Sequence, residues 1–165
     1  MSTADAKLPS APRVPGPPPH VLVVRAPYYQ AVVDGLRDGA VRMLGESGAT
    51  HDVLDVAGAL ELAGAVRLAV HAGGLPSGRR YDGFVALGCV VRGETDHYEH
   101  ICREAMSGLT AVTLRHALCI GVGLLTVDHV DQAMARASAD GHNKGAEAAA
   151  AALLQIRAAR WLGAV

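Results

Sequence analysis

The residues with the greatest density of chemistry lie in Leu87–His100, which reads L-G-C-V-V-R-G-E-T-D-H-Y-E-H. The apolar run Phe84-Val85-Ala86-Leu87 leads into it, and a helix start closes it after two glycines, Gly88 and Gly93. Arg92, Glu94, Thr95, Asp96 and His97 crowd the turn. Asp96 is placed to cap the helix, and Glu99 three residues later completes a capping box. His97 then falls in the first helical turn, where unpaired backbone N–H groups and the positive helix end gather. That field disfavours imidazolium and suits His97 to accept a proton. The same N–H groups, with the Thr95 hydroxyl, suit an anion such as a phosphate. Two readings stand side by side here. One is a proton-transfer site for a phosphorylated substrate; the other is a capped helix whose histidine fills a surface turn.

The elements that must position this stretch follow from periodicity. Val21–Val24 is a continuous apolar run and reads as a strand buried on both faces, as in a parallel sheet. Arg25-Ala26-Pro27-Tyr28-Tyr29 forms its exit turn, and Val32, Val33, Leu36, Ala40, Met43 and Leu44 recur at helical spacing after it. The paired tyrosines serve either as packing or as a flat face for a heteroaromatic ring. His51–Val56 reads as the second strand, with Ala57-Gly58-Ala59-Leu60-Glu61 as its exit turn and a helix over 60–72. Glu61 in a first helical turn also fits simple compensation of the helix dipole. A glycine- and proline-containing connection, 73–78, leads to a third strand over 82–91. The helix from His97 buries Ile101, Ala105, Leu109 and Val112 along one face. A fourth strand spans 117–126, and its Gly121 and Gly123 point to close backbone approach or a bulge. A short helix over 128–137, a polar turn over 138–143 and an alanine-rich helix over 144–161 complete the chain. Helices alternating with short apolar strands imply an α/β fold: a four-stranded parallel sheet covered on both faces. The Tyr28, Glu61 and His97 loops would all open at one rim, where a single ligand can touch them.

Composition narrows the function classes. At 165 residues the chain fits one domain, 21–165, preceded by a proline-rich tail, 1–20, expected to be extended and mostly mobile. Half of the residues are hydrophobic and only 19% are charged, a charge deficit that suggests burial against further copies of the chain. A net charge of −1 without a basic block gives no footprint for nucleic acid. Cys89, Cys102 and Cys119 form no C-x-x-C pair, which argues against a zinc site or disulfide framework and fits a reducing cytosol. No apolar run is long enough to span a bilayer, and no signal-peptide hydrophobic region stands at the N-terminus.

Three segments together carry a resemblance. V-A-G-A-L-E-L-A at 56–63, L-G-C-V-V-R-G-E-T-D-H-Y at 87–98 and G-H-N-K-G-A-E-A-A at 141–149 resemble, in that order along the chain, the signature segments of the lumazine synthase family. The resemblance runs from about Val21 to the C-terminus. It implies a flavodoxin-like three-layer α/β/α sandwich. It also implies condensation of 5-amino-6-(D-ribitylamino)uracil with 3,4-dihydroxy-2-butanone 4-phosphate, without a metal or organic cofactor. By position, Tyr28 matches an aromatic that stacks on the pyrimidine, and Tyr29 falls where asparagine is frequent. Ala59, Leu60 and Glu61 match the grip on the ribityl chain and ring edge. Cys89, Val90 and Val91 match the ring pocket, and Gly93, Glu94 and Thr95 the phosphate loop. His97 matches the proton-transferring histidine. Arg136 matches a phosphate-binding arginine supplied by a neighbouring subunit, and Lys144 a lysine near it. Val122 falls where many members place a phenylalanine from that neighbour. The resemblance therefore implies small-molecule substrates and a homo-oligomer, with a free pentamer favoured over a decamer or a sixty-subunit shell because the prolines before Val21 hinder strand pairing with a neighbour. Ala57 and Ala63 replace two prolines and Leu60 an aromatic. Glu94 often reads alanine in the family, and its carboxylate would repel a phosphate unless Arg92 or Arg136 offsets the charge. These departures motivate an alternative: a non-catalytic member that binds lumazine or a flavin.

Overall fold

A computed structural model describes residues 10–73, 80–139 and 142–164. Most of the connection read at 73–78, the first nine residues and Gly141 of the third signature segment lie outside the described residues. The chain runs β1 (His20–Ala26), a 3-10 turn (Pro27–Tyr29), α1 (Gln30–Glu46), β2 (Thr50–Asp55), α2 (Glu61–His71), β3 (Gly83–Val91), α3 (His97–His116), β4 (Ile120–Val127), α4 (Val130–Ala137) and α5 (Lys144–Trp161). The four strands form one parallel sheet in the order β2-β1-β3-β4. This is the three-layer α/β/α sandwich of flavodoxin-like proteins.

The two faces of the sheet are legible in β1. Val21 and Val23 pack with residues of α1, α4 and α5, whereas Leu22 and Val24 pack with residues of α2 and α3. A strand between two helical layers has no solvent face, which is why its sequence is apolar without alternation. β2 is an edge strand, and its Val53 and Leu54 are exposed. β4, the other edge, alternates between buried and exposed positions. Its glycines mark close approach: a Cβ on Gly121 would stand 1.8 Å from the Ala148 carbonyl oxygen of α5.

Most element ends shift by one to three residues from the expected bounds, and two departures, the start of β4 and the capping at the start of α3, have a local reason. The fourth strand begins at Ile120 rather than Ala117. Ala117 adopts a left-handed conformation that ends α3, and Leu118 N–H donates to the Thr113 carbonyl. The capping box is not formed. Asp96 has a helical backbone and makes no side-chain cap, while the Glu99 carboxylate accepts instead from Arg92 Nη1 at 2.7 Å.

The proline-rich segment has contacts its composition does not advertise. Ala11 and Val14 pack against the core, and Arg160 Nη1 donates to the carbonyls of Pro15 and Pro17 at 2.6 and 2.8 Å. Pro15 and Pro17 precede β1 and lie outside the sheet, so their carbonyl oxygens can be collected by one guanidinium.

Candidate active site

The sheet order reverses at β1: the chain moves outward to β2 and then returns to the far side as β3. Exits on either side of such a switch point leave a crevice. A cleft of about 490 Å³ occupies it, walled by the three loops at the carboxyl ends of β1, β2 and β3.

Each wall has a cause in its own segment. Pro27 starts the 3-10 turn, which swings Tyr28 and Tyr29 out beyond β1. Tyr28 is 78% exposed, with its ring 5.2 Å from that of Tyr29 in an edge-to-face arrangement. One aromatic face is thus held by its neighbour and offered to the cleft. Ala57, Gly58, Ala59, Leu60 and Glu61 form the second wall, and Glu61 opens α2. Leu60 is half exposed here, an apolar surface without cover in the single chain. Cys89, Val90 and Val91 form the floor from the last residues of β3. Burial pushes the Cys89 thiol up to about 11, so it stays protonated at neutral pH and is no nucleophile.

The third wall comes from Gly93, Thr95 and the start of α3. His97 lies at the first helical position and is exposed. With no side-chain cap, the first-turn N–H groups of α3 remain available to an anion. Tyr98 and Ile101 also line the cleft; the sequence reading gives Tyr98 no role and places Ile101 on the buried face of α3, where only Ala105, Leu109 and Val112 are buried. The signal was helical spacing, since 101 lies four residues after 97 and three after 98 and so neighbours both on the helix surface. Glu94 is exposed and does not line the cleft. Arg92 is not directed at it either: the guanidinium donates to Glu99 and, at 2.8 Å, to Asp128, and its carbon lies 4.2 Å from the centre of the Tyr98 ring.

Three of the sequence candidates lie elsewhere. Val122, Arg136 and Lys144 line a second cleft of about 420 Å³, between β4, α4 and α5 at the other edge of the sheet. Arg136 Nη1 donates to the Gln132 carbonyl at 2.8 Å and, among the described residues, forms no ion pair. Lys144 Nζ pairs with the Glu147 carboxylate at 2.6 Å. Among the described residues, the second cleft therefore presents one arginine without a carboxylate partner beside one lysine whose charge is already matched. Asn143, just before Lys144, is 1% exposed and caps α5 by accepting from Gly145 N–H and Ala146 N–H at 2.9 and 3.0 Å. The asparagine of the third segment thus serves the architecture that carries Lys144 rather than the cleft itself.

Among the described residues no group of side chains could hold a metal ion, and no helix is long and apolar enough to cross a membrane.

A parallel sheet with an aromatic-walled cleft at its switch point and an open helix start beside it defines a flavodoxin-like α/β protein whose candidate ligand cleft lies at the strand ends. The comparisons make that class specific. A family model described as 6,7-dimethyl-8-ribityllumazine synthase matches residues 18–160. The chain is similar to 6,7-dimethyl-8-ribityllumazine synthase 1 of Rhizobium meliloti, with 42% identity over 89% of this chain and 95% of the relative. It is similar to the synthases of Bartonella henselae, with 44% identity over 88% and 92% of the two chains, and of Agrobacterium fabrum, with 43% over 88% and 97%. The chain belongs to the 6,7-dimethyl-8-ribityllumazine synthase family and is an enzyme of the transferase class.

Proposed function

We propose that the cleft at the switch point condenses 5-amino-6-(D-ribitylamino)uracil with 3,4-dihydroxy-2-butanone 4-phosphate to 6,7-dimethyl-8-ribityllumazine, the step before riboflavin itself. The observation that supports this most is the meeting of three loops, far apart in the chain, in one cleft that has an aromatic face, a histidine and an open helix start. The pyrimidine stacks on Tyr28, its ribityl chain and ring edge lie along Ala59, Leu60 and Glu61, and the backbone of Cys89, Val90 and Val91 reads its polar edge. The phosphate rests on Gly93, Thr95 and the first turn of α3. The arylamine condenses with the ketone and one water leaves, phosphate is then eliminated, and the ribitylamino nitrogen closes the ring on the remaining carbonyl with loss of a second water. His97 moves the protons these steps release and require. The rest of the task is holding two reactants together, which needs no cofactor.

Arg136, Lys144 and Val122 reach the reaction from a neighbouring copy. Their separation into a second cleft supports this reading: one chain carries two halves of a site, and a second copy brings the complementary half. A free pentamer, acting in the cytoplasm with residues 21–165 as its working unit, is the assembly favoured. Light scattering is expected to report about five chain masses; a particle near megadalton mass would replace the pentamer with a shell.

The activity itself is tested by mixing purified protein with both substrates and following lumazine absorbance against the spontaneous reaction. A rate proportional to protein supports the function, and a rate equal to background sinks it. Arg136→Ala is expected to raise KM for the butanone phosphate about tenfold to a hundredfold, the worth of one charge-assisted hydrogen-bonding group. KM for the pyrimidine should move little. An unchanged KM for the butanone phosphate would remove Arg136 from the site.

A further inference from the structure

Arg25, the sixth residue of β1, lies outside the cleft lining yet touches the roots of two of its walls. Its side chain is only 14% exposed. Nε and Nη2 donate to both carboxylate oxygens of Asp55, the latter at 2.9 Å, and Nη1 donates to Asp34 at 2.6 Å. Asp55 is the last residue of β2 and sits opposite Arg25 in the parallel register. The next residue, Val56, donates its N–H to the Arg25 carbonyl at 2.9 Å and leads directly into the Ala57–Glu61 wall. Asp34 lies in α1, five residues after Tyr29, and is also held by Arg37 at 3.1 Å.

From this geometry we infer that Arg25 is a positioning residue that sets the spacing between the Tyr28–Tyr29 wall and the Ala57–Glu61 wall, and so the affinity for the ring and ribityl chain; the inference rests on the functional reading above. A guanidinium bound by two oxygens of one carboxylate is fixed in plane and direction, which a single-point contact does not achieve. Its third arm then fixes α1, and with it the turn that carries the tyrosines. The arrangement also has a repulsive side. Two carboxylates that share one guanidinium stand close together, and without the cation they push apart. The exits of β1 and β2 would then separate at the rim. The β3 wall, with Thr95 and His97, hangs from a strand on the other side of β1 and is not held by this clamp. The effect should therefore be selective for the pyrimidine half of the reaction.

The test titrates wild-type protein and variants with 6,7-dimethyl-8-ribityllumazine, using its fluorescence, and measures the apparent affinity for inorganic phosphate by competition in the synthase assay. Arg25→Met is expected to raise the lumazine Kd and the KM for the pyrimidine about tenfold, while phosphate affinity and the KM for the butanone phosphate stay within about twofold. Arg25→Lys keeps the charge without the two-pronged geometry and is expected to recover only part of the loss. Asp34→Ala releases one arm and leaves the Asp55 pair intact, and serves if Arg25→Met does not fold; a Kd raised about threefold is expected. Equal lumazine affinity in wild type and the folded variants would overturn the inference alone. So would parallel losses for both substrates accompanied by a fall in melting temperature, the mark of a general structural role. A wild-type protein that binds no lumazine would overturn the function, and this inference with it.

Discussion

Replacing His97 with alanine is expected to lower kcat about a hundredfold to a thousandfold, the range over which a positioned general acid or base contributes. Folding should change by less than about 0.5 kcal/mol. The two parts of the prediction have separate grounds. The residue is exposed at the first position of α3, where alanine is an excellent helix former, so nothing in the packing depends on the ring. In the proposed reaction the chemistry does depend on it: amine attack, phosphate departure and ring closure each need a proton moved, and among the described cleft residues no other group is as well suited. Glu61 sits across the cleft on the β2 wall, and the Cys89 thiol is held protonated by burial. Steady-state rates together with thermal unfolding check both halves. A folded variant at wild-type rate would leave His97 as a surface turn residue.

The second large effect concerns stability. Asn143→Ala is expected to lower the unfolding free energy by about 3–4 kcal/mol, adding the loss of an N-cap to that of buried hydrogen-bond partners. Asn143 accepts from the first N–H groups of α5 and donates through Nδ2 to the carbonyls of Gly35 and Ala137 at 2.9 and 2.8 Å, with a longer contact to Ser138. One side chain thus joins α1, α4 and α5. The space around it is fully used: a Cβ on Gly39 would stand 2.0 Å from Asn143 Oδ1, and one on Gly145 1.9 Å from the Leu36 carbonyl oxygen. Asn143→Asp separates the terms. It keeps the cap acceptor but cannot donate to the two carbonyls, so it too should be destabilising. Denaturant midpoints at one fixed protein concentration measure both. A loss below about 0.5 kcal/mol in the alanine variant would show that the junction carries no weight.

Where the sequence was legible, one physical signal dominated each element. β1 and β3 stood out because strands buried on both faces cannot alternate, and α5 because alanine and the N-K-G turn mark its start. The three loops of the cleft could be read because strand exits at a switch point converge whatever their distance in the chain. What escaped was decided by partners remote in sequence. The proposed capping box failed because Arg92 recruited Glu99, which no local pattern encodes. The contact of Arg160 with Pro15 and Pro17 joins the two ends of the chain through backbone carbonyls, which no side-chain pattern announces. Arg25 reads as part of an exit turn from sequence, yet it is the sixth residue of β1, with Asp34 and Asp55 as ion-pair partners 9 and 30 residues away. Val122, Arg136 and Lys144 have no local pattern that ties them to His97, and only the family resemblance grouped them.

The central claim is that one chain supplies His97 and a neighbour supplies Arg136 to the same reaction. Co-assembly of His97→Ala with Arg136→Ala subunits tests it directly, with lumazine formation measured at limiting butanone phosphate. If the site lies between copies, random mixing regenerates intact sites at about a quarter of the interfaces, and the mixed oligomer should recover about that share of wild-type rate. If both residues serve the reaction from within one chain, no intact site can form, and the mixture will show only the average of the two variants.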